Sequence, residues 1–230
     1  MQNQSQFRDE IVHLGRMLYQ RGFIAATDGN ISARLDDDRI LITPTCMCKG
    51  QMHPDDLVII DRHGRKLEGE RNVSSEVQMH LLVYNMRPDV QAIVHAHPPT
   101  ATGFAAAGIA LDQPLISEVV LTLGAVPLAP YGCPGTQALS DSLRPLIPLH
   151  DAILMANHGV VAYADELTRA FMHMETVEHF AKIALVTLTL GRQQVLAPEE
   201  VEQLEAIRRR AELTRLEANE RRAKLSVVNS

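Results

Sequence analysis

The sequence has no tryptophan, and aromatic residues make up only 4% of it. Stacking platforms for bases or sugar rings are therefore poorly supplied. Cysteine is almost as scarce: Cys46, Cys48 and Cys133 are odd in number, and Cys46-Met47-Cys48 is not a CxxC pair with a second pair to complete it. This argues against a disulfide scaffold or a zinc knuckle and predicts a reducing, cytoplasmic setting. No apolar run is long enough to cross a bilayer, and the opening MQNQSQFRDE lacks the apolar centre of a signal peptide. There is no long basic run either, and the net charge is −6, so neither nucleic acid nor an anionic membrane is expected as a partner.

What is present suits a globular protein. The chain has 230 residues, 46% of them hydrophobic, with no internal repeat and no linker-like segment. A single domain over residues 1–230 is expected. Apolar residues at helical spacing place a first helix over Phe7–Gln20, with Gly22 as its stop. A polar turn, Thr27-Asp28-Gly29-Asn30, then feeds a hairpin of Ile31–Leu35 and Arg39–Thr43. That turn reads equally as a plain β-turn or as a set of N–H groups open to an anion. A loop from Thr43 to Gly50 precedes a strand at Leu57–Asp61, and His53 and His63 fall in solvated loops.

Ser74-Ser75-Glu76 opens a helix reaching about Met86, with a serine at the N-cap. Glu76 sits at the edge of the stripe formed by Met79, Leu82, Val83 and Met86, either capping toward water or turned into a cleft; His80 reads as flanking. The segment Val90–Thr100, VQAIVHAHPPT, carries the most chemistry. Ile93, His95 and His97 share one face of a strand and Ala92, Val94 and Ala96 the other, a pattern buried on both sides. Two buried imidazoles need partners, and a divalent metal is one.

Downstream, a small-residue helix runs from Thr100 to Gly108, a strand-like stretch covers Val119–Val126, and a short helix covers Ser140–Leu149. Two strands in Asp151–Ala164 flank a turn at Asn157-His158-Gly159, which offers His158 as a third ligand. Asp165 caps a long helix, Glu166–Leu190, in which His173 and His179 are structural or exposed. Residues of about 198–230 form a charged helical tail with a sparse stripe at Leu204, Ile207, Leu213 and Leu216, either solvated or packed on a neighbouring subunit.

The motifs Thr27-Asp28-Gly29-Asn30-Ile31-Ser32, Ile42-Thr43-Pro44-Thr45, Ser74-Ser75-Glu76, His95-Ala96-His97 and Asn157-His158-Gly159 occur in that order. Together, over about residues 7–191, they resemble the class II aldolase/adducin-head family and its fuculose-1-phosphate-aldolase-like enzymes. The resemblance implies an α/β fold, a three-layer α/β/α domain around a mixed, mostly antiparallel sheet, assembled as a homotetramer with sites between subunits. It implies that His95, His97 and His158 bind a divalent metal, zinc or alternatively manganese or cobalt. Glu76 would be the acid/base residue and a possible fourth ligand. Asn30, Thr45, Ser74 and Ser75 would hold the phosphate of a small phosphorylated sugar. The implied reaction is cleavage of a ketose 1-phosphate to dihydroxyacetone phosphate and a small aldehyde. Decarboxylases and epimerases of phosphorylated sugars or sugar acids share the fold and are the alternative, and a non-catalytic adducin-like scaffold is the reading from another class.

Three positions depart from the family pattern. Cys46 stands where the phosphate loop usually has glycine, and the neighbour-subunit tyrosine aligns with Glu118. The C-terminal tyrosine has no counterpart, because the last tyrosine is Tyr163. Tyr131 could substitute as a proton donor.

Overall fold

Alternation along the strands builds the centre of the molecule. The computed structural model describes residues 3–228, with side chains as far as Arg215 and at Glu217. The described strands are β1 (Asn30–Arg34), β2 (Arg39–Ile42), β3 (Val58–Asp61), β4 (Lys66–Glu68), β5 (Ala92–Ala96), β6 (Leu128–Ala129), β7 (Ala152–Met155) and β8 (Gly159–Ala164). They form one sheet in the order β4-β3-β2-β1-β5-β8-β7-β6. Every pairing is antiparallel except β6 with β7, so the sheet is mixed and mostly antiparallel.

Period-two alternation sends successive residues to opposite faces. Ile31, Leu41, Val94, Leu154 and Ala162 join one apolar cluster; Ile42, Ile60, Ile93, Ile153 and Val161 join the other. Helices cover both faces, which makes three layers. The first face carries residues of α1 (Gln4–Gln20), α3 (Pro99–Ala106), α4 (Ser117–Thr122) and α6 (Leu167–Thr189). The second carries α2 (Val77–Met86) and α5 (Gln137–Leu143). Fully burying one Leu- or Ile-sized side chain contributes about 1.5–3 kcal/mol, so two such clusters hold the sheet between its helices.

Several boundaries differ from the sequence reading. Val119–Val126 is not a strand: Ser117–Thr122 is helical, and only Val126 bridges to Leu111. Its β-branched residues suggested a strand, but Glu118 in the first turn and Gly124 at φ 73 bound a short helix that buries Val119 and Val120. The helix expected from Ser140 starts earlier, after Thr136, and ends at Leu143 ahead of Pro145. In α2 the cap position is Glu76, not a serine, although the Ser74 hydroxyl accepts the Glu76 N–H at 3.3 Å. Glu166 caps α6, while Asp165 pairs with Arg169 at 3.2 Å.

The charged tail is helical, α7 (Pro198–Val228), and it folds back on the body. It packs on α4, and Arg215 reaches Asp165 at 3.2 Å. Leu213 and Ile207 remain exposed. The side chain of Leu216 and residues 229–230 of the expected tail lie outside the described residues. No described helix is long and apolar enough to cross a membrane.

Candidate metal centre and active site

The two central strands deliver the three histidines to one end of the sheet. β5 ends at Ala96, so His95 is its last inward-facing residue and His97 follows in the corner closed by Pro98 and Pro99. β8 pairs with β5 through His95–Val161 and Ala96–Val160, which brings the β7–β8 turn beside that corner. Asn157 makes the turn with φ 54, a backbone that asparagine tolerates better than most residues. His158 is thereby set against the other two. The ring centroids lie 4.9 Å (His95–His97), 4.8 Å (His95–His158) and 5.2 Å (His97–His158) apart. One ligand atom from each falls within 4.8 Å of the others, so the three could hold a metal ion.

The groups behind His95 and His97 set which of their nitrogens face inward. His95 Nδ1 lies 2.9 Å from the carbonyl of Val160, which can only accept, so Nδ1 carries the hydrogen. In a neutral ring the Nε2 lone pair then points at His97 Nε2 and at Glu76 Oε2, each 3.2 Å away. His97 Nδ1 faces Asp28 Oδ2 at 3.5 Å, which leaves its Nε2 inward too. His158 Nε2 is 3.1 Å from Glu76 Oε1, yet Oε1 has no aligned hydrogen-bond donor. Lone pairs and a carboxylate crowded together in a buried place call for a cation. The carbonyl behind His95 and the carboxylate behind His97 are how metal-binding histidines are oriented, whereas His158 Nδ1 has no hydrogen-bond partner among the described residues. The residues fit a divalent metal.

Glu76 is turned into this site, its side chain only 11% exposed, rather than capping toward water. Burial opposes its charge, but the imidazoles of His95 and His158 outweigh burial and hold its carboxyl far below the usual range. Burial likewise works against a charged His95, and the Glu76 carboxylate overcomes it and pushes the pKa up. Burial and the two neighbouring imidazoles push His97 down to about 4.

Asn30 is the register partner of His95, so β1 places its amide beside the cage. Asn30 Nδ2 donates to Glu76 Oε2 at 2.8 Å. Gly29 before it must be glycine: its φ is 71, and a Cβ would stand 2.7 Å from the carbonyl of His95. Thr45 reaches the serines through backbone pairing, because Pro44 bridges to Val73 and the Thr45 N–H donates to Asn72. Ser74 is buried and Ser75 exposed at the start of α2. Cys46 adopts φ 54, the left-handed backbone for which this loop would ordinarily use glycine.

The possible proton donors separate. Tyr163 is fully buried and donates to the carbonyls of Ile147 and His150, a structural role. Tyr131 is 60% exposed, and Glu118 is exposed on α4 beside Arg21, Glu175 and Lys182 in a surface cavity of ≈ 910 Å³.

Lys49 escapes the sequence reading, in which His80 is only flanking. Lys49 is buried at 2% exposure, and its Nζ donates to the carbonyls of Thr27 (2.6 Å) and Met47 (2.8 Å), tying together the two loops that flank the site. Burial lowers its pKa. His80 is fully buried between Asn30 and Ser32. No single-sequence signal marks Lys49. For His80 the signal was a polar residue one turn after Glu76 within the buried run Met79–Tyr84 of α2.

A family profile described as the class II aldolase and adducin N-terminal domain matches residues 9–185. The chain belongs to this class II aldolase family. Within it, the chain is 36% identical over 199 residues to a 5-deoxy-D-ribulose 1-phosphate aldolase of Bacillus thuringiensis serovar kurstaki, covering 86% of this chain and 92% of that one. It is 34% identical over 191 residues to a 3-oxo-tetronate 4-phosphate decarboxylase of Pectobacterium atrosepticum, covering 81% and 87%. A solved L-fuculose 1-phosphate aldolase superposes with a TM-score of 0.82 at 32% identity, covering 87% and 94%. This class II aldolase fold is therefore the three-layer architecture described above.

Proposed function

We propose that this class II aldolase family member is a metal-dependent aldehyde-lyase that cleaves a ketose 1-phosphate to dihydroxyacetone phosphate and a small aldehyde. The fuculose-1-phosphate and 5-deoxypentulose-1-phosphate types are the substrates. The observation that carries the reading is Glu76 held at 3.2 and 3.1 Å from two inward-facing imidazoles, with Oε1 lacking a hydrogen bond.

His95, His97 and His158 would hold the divalent metal, zinc or alternatively manganese or cobalt, with Glu76 placed to serve as a fourth ligand. Once bound, the metal supplies Lewis acidity, polarising the substrate carbonyl and offsetting the charge that develops as the carbon–carbon bond breaks. In the synthetic direction the Glu76 carboxylate would remove a proton from the carbon beside the carbonyl while the aldehyde oxygen takes one up. In cleavage the hydroxyl proton would leave to Tyr131 or solvent, and Glu76, protonated once it has left the imidazoles, would return its proton to that carbon. Thr45, Ser74, Ser75 and the second N–H of the Asn30 amide take the phosphate at the N-terminal end of α2, where free N–H groups and the helix dipole favour an anion. Tyr131 is the candidate donor to the aldehyde oxygen.

The protein assembles as a cytoplasmic homotetramer with sites between subunits. Leu185, Val186, Leu188 and Leu190, exposed along the end of α6, support an intersubunit surface.

The second reading, decarboxylation of a phosphorylated sugar acid, is favoured by the 34% identity to the 3-oxo-tetronate 4-phosphate decarboxylase. It needs the same cage and the same carbon protonation by Glu76. One experiment separates the two: zinc-loaded protein is given fuculose, rhamnulose and 5-deoxyribulose 1-phosphates and, separately, a 3-oxo-tetronate 4-phosphate. Chelator-sensitive release of dihydroxyacetone phosphate supports the aldolase. Carbon dioxide release alone replaces it with the decarboxylase.

A further inference from the structure

A line of buried polar atoms runs from the second face of the sheet to the site. Tyr84 Oη lies 2.8 Å from Ser32 Oγ, Ser32 Oγ 2.6 Å from His80 Nδ1, His80 Nε2 2.5 Å from Asn30 Oδ1, and Asn30 Nδ2 2.8 Å from Glu76 Oε2. His80 and Ser32 are fully buried, and Tyr84 and Asn30 nearly so.

The direction of every bond follows from its Glu76 end. A carboxylate only accepts, so the Asn30 amide must turn its nitrogen to Glu76 and its oxygen to His80. That oxygen needs a donor, so His80 carries its hydrogen on Nε2. Burial, with the neighbouring His95, lowers the His80 pKa to about 3, so the ring is neutral and Nδ1 is an acceptor. The Ser32 hydroxyl then donates to Nδ1, and Tyr84 donates to Ser32. No atom along the line is asked to play two conflicting roles.

We propose that His80 is a positioning residue for Glu76: its Nε2–H fixes the Asn30 amide, and that amide holds Glu76 Oε2, setting the carboxylate with Oε2 toward His95 and Oε1 toward His158. Without the donor at Nε2, the amide is free to turn over and set its oxygen against the carboxylate. Like partial charges would then push Glu76 out of place. Ser32 and Tyr84 act one step back by fixing which ring nitrogen bears the hydrogen. The catalytic part of this proposal rests on the reading of Glu76 as the acid/base group; the placement of the hydrogen does not.

The test uses the full chain loaded with zinc. Nitrogen NMR of histidine-labelled protein, with the His80 signals identified by their loss in His80→Gln, should show a neutral ring with its hydrogen on Nε2. A hydrogen on Nδ1, or a protonated ring at neutral pH, overturns the proposal. His80→Leu should lower kcat by about 10- to 100-fold, the usual effect of losing an outer-sphere partner, and raise KM as well, because the Asn30 amide that turns over also donates to the phosphate. His80→Gln, whose amide can still donate to Asn30, should recover most of that loss. Equal losses in the two variants, or wild-type kcat in His80→Leu, overturn it. Should His80→Leu not fold, Ser32→Ala keeps the ring but removes the hydroxyl that fixes its tautomer, and unchanged kcat there counts against the proposal. Should the wild type cleave none of the sugar phosphates, the aldolase reading falls separately. The relay is then judged by zinc affinity, expected to weaken by about 10-fold in His80→Leu and to return in His80→Gln.

Discussion

Gly159 lies against the ring of His97. A Cβ on Gly159 would stand 2.5 Å from His97 Cδ2 and 2.7 Å from the carbonyl of Ala96, closer than packed atoms can approach. Nothing larger than hydrogen fits between the start of β8 and this imidazole.

Gly159→Ala should therefore push His97 out of the cage while leaving the rest of the sheet intact. Zinc affinity, measured by competition with a chromophoric chelator, should fall by at least about 10-fold, comparable to losing an orienting partner. Far-ultraviolet circular dichroism should be unchanged. Wild-type zinc affinity would remove His97 from the ligand set.

Cys46 carries a different strain. A non-glycine residue in the left-handed region costs about 1–2 kcal/mol, and glycine gives back roughly 0.5–1 kcal/mol of that through unfolded-state entropy. Cys46→Gly should stabilise the protein by about 0.5–1 kcal/mol in urea denaturation. A loss of stability would mean that the thiol, 3.7 Å from Thr45 Oγ1, does more than fill space.

Glu178, 1% exposed on α6, accepts from the N–H groups of Thr100 (3.1 Å) and Ala101 (2.9 Å) and from the Thr100 hydroxyl (2.8 Å). It satisfies the first turn of α3, which begins two residues after His97. Glu178→Ala leaves those donors buried and unpaired, so a loss of about 2–4 kcal/mol is expected. Guanidinium unfolding would read it directly.

The neutral His80 makes stability depend on acid. Its folded pKa of about 3 lies below the unfolded value of about 6.5. Above pH 6.5 both states are neutral and nothing is lost. Below it the unfolded chain takes up a proton that the folded chain refuses, so stability falls toward pH 3 by up to about 1.4 kcal/mol per pH unit. In chelator-treated samples, His80→Gln should flatten the curve over this window relative to the wild type. Parallel curves would show that the ring titrates freely in the folded protein.

The sequence made the cage legible and left its supports hidden, for a physical reason. His95 and His97 declare themselves by spacing within one strand, and His158 by its place in a tight turn between apolar runs. Those are local patterns. The His80 partners Asn30 and Ser32 lie about 50 residues away and meet it only through the β1–β5 pairing and the packing of α2 on the sheet. Lys49 likewise finds the Thr27 carbonyl only when two loops close over it. The Val119–Val126 stretch misled because β-branched residues were weighed by type, whereas their packing on α6 and α7 and the glycine stop decide the outcome. Strands β1, β2, β3, β5, β7 and β8 were legible because burial leaves an apolar record, whereas β4, exposed throughout, and the two-residue β6 were not.

The pairing of Asn30 with His95 ties the chemistry to the hydrogen-bond register of the sheet. Because side chains alternate, inserting one residue within 30–34 or 92–96 would turn every following side chain to the opposite face. Placed ahead of His95 in β5, the insertion would turn that imidazole away while the composition of the site stayed complete. Such an insertion should abolish function as fully as deleting a ligand. The exposed turn between β1 and β2 can lengthen without reaching the cage, so length variation in this part of the fold belongs there.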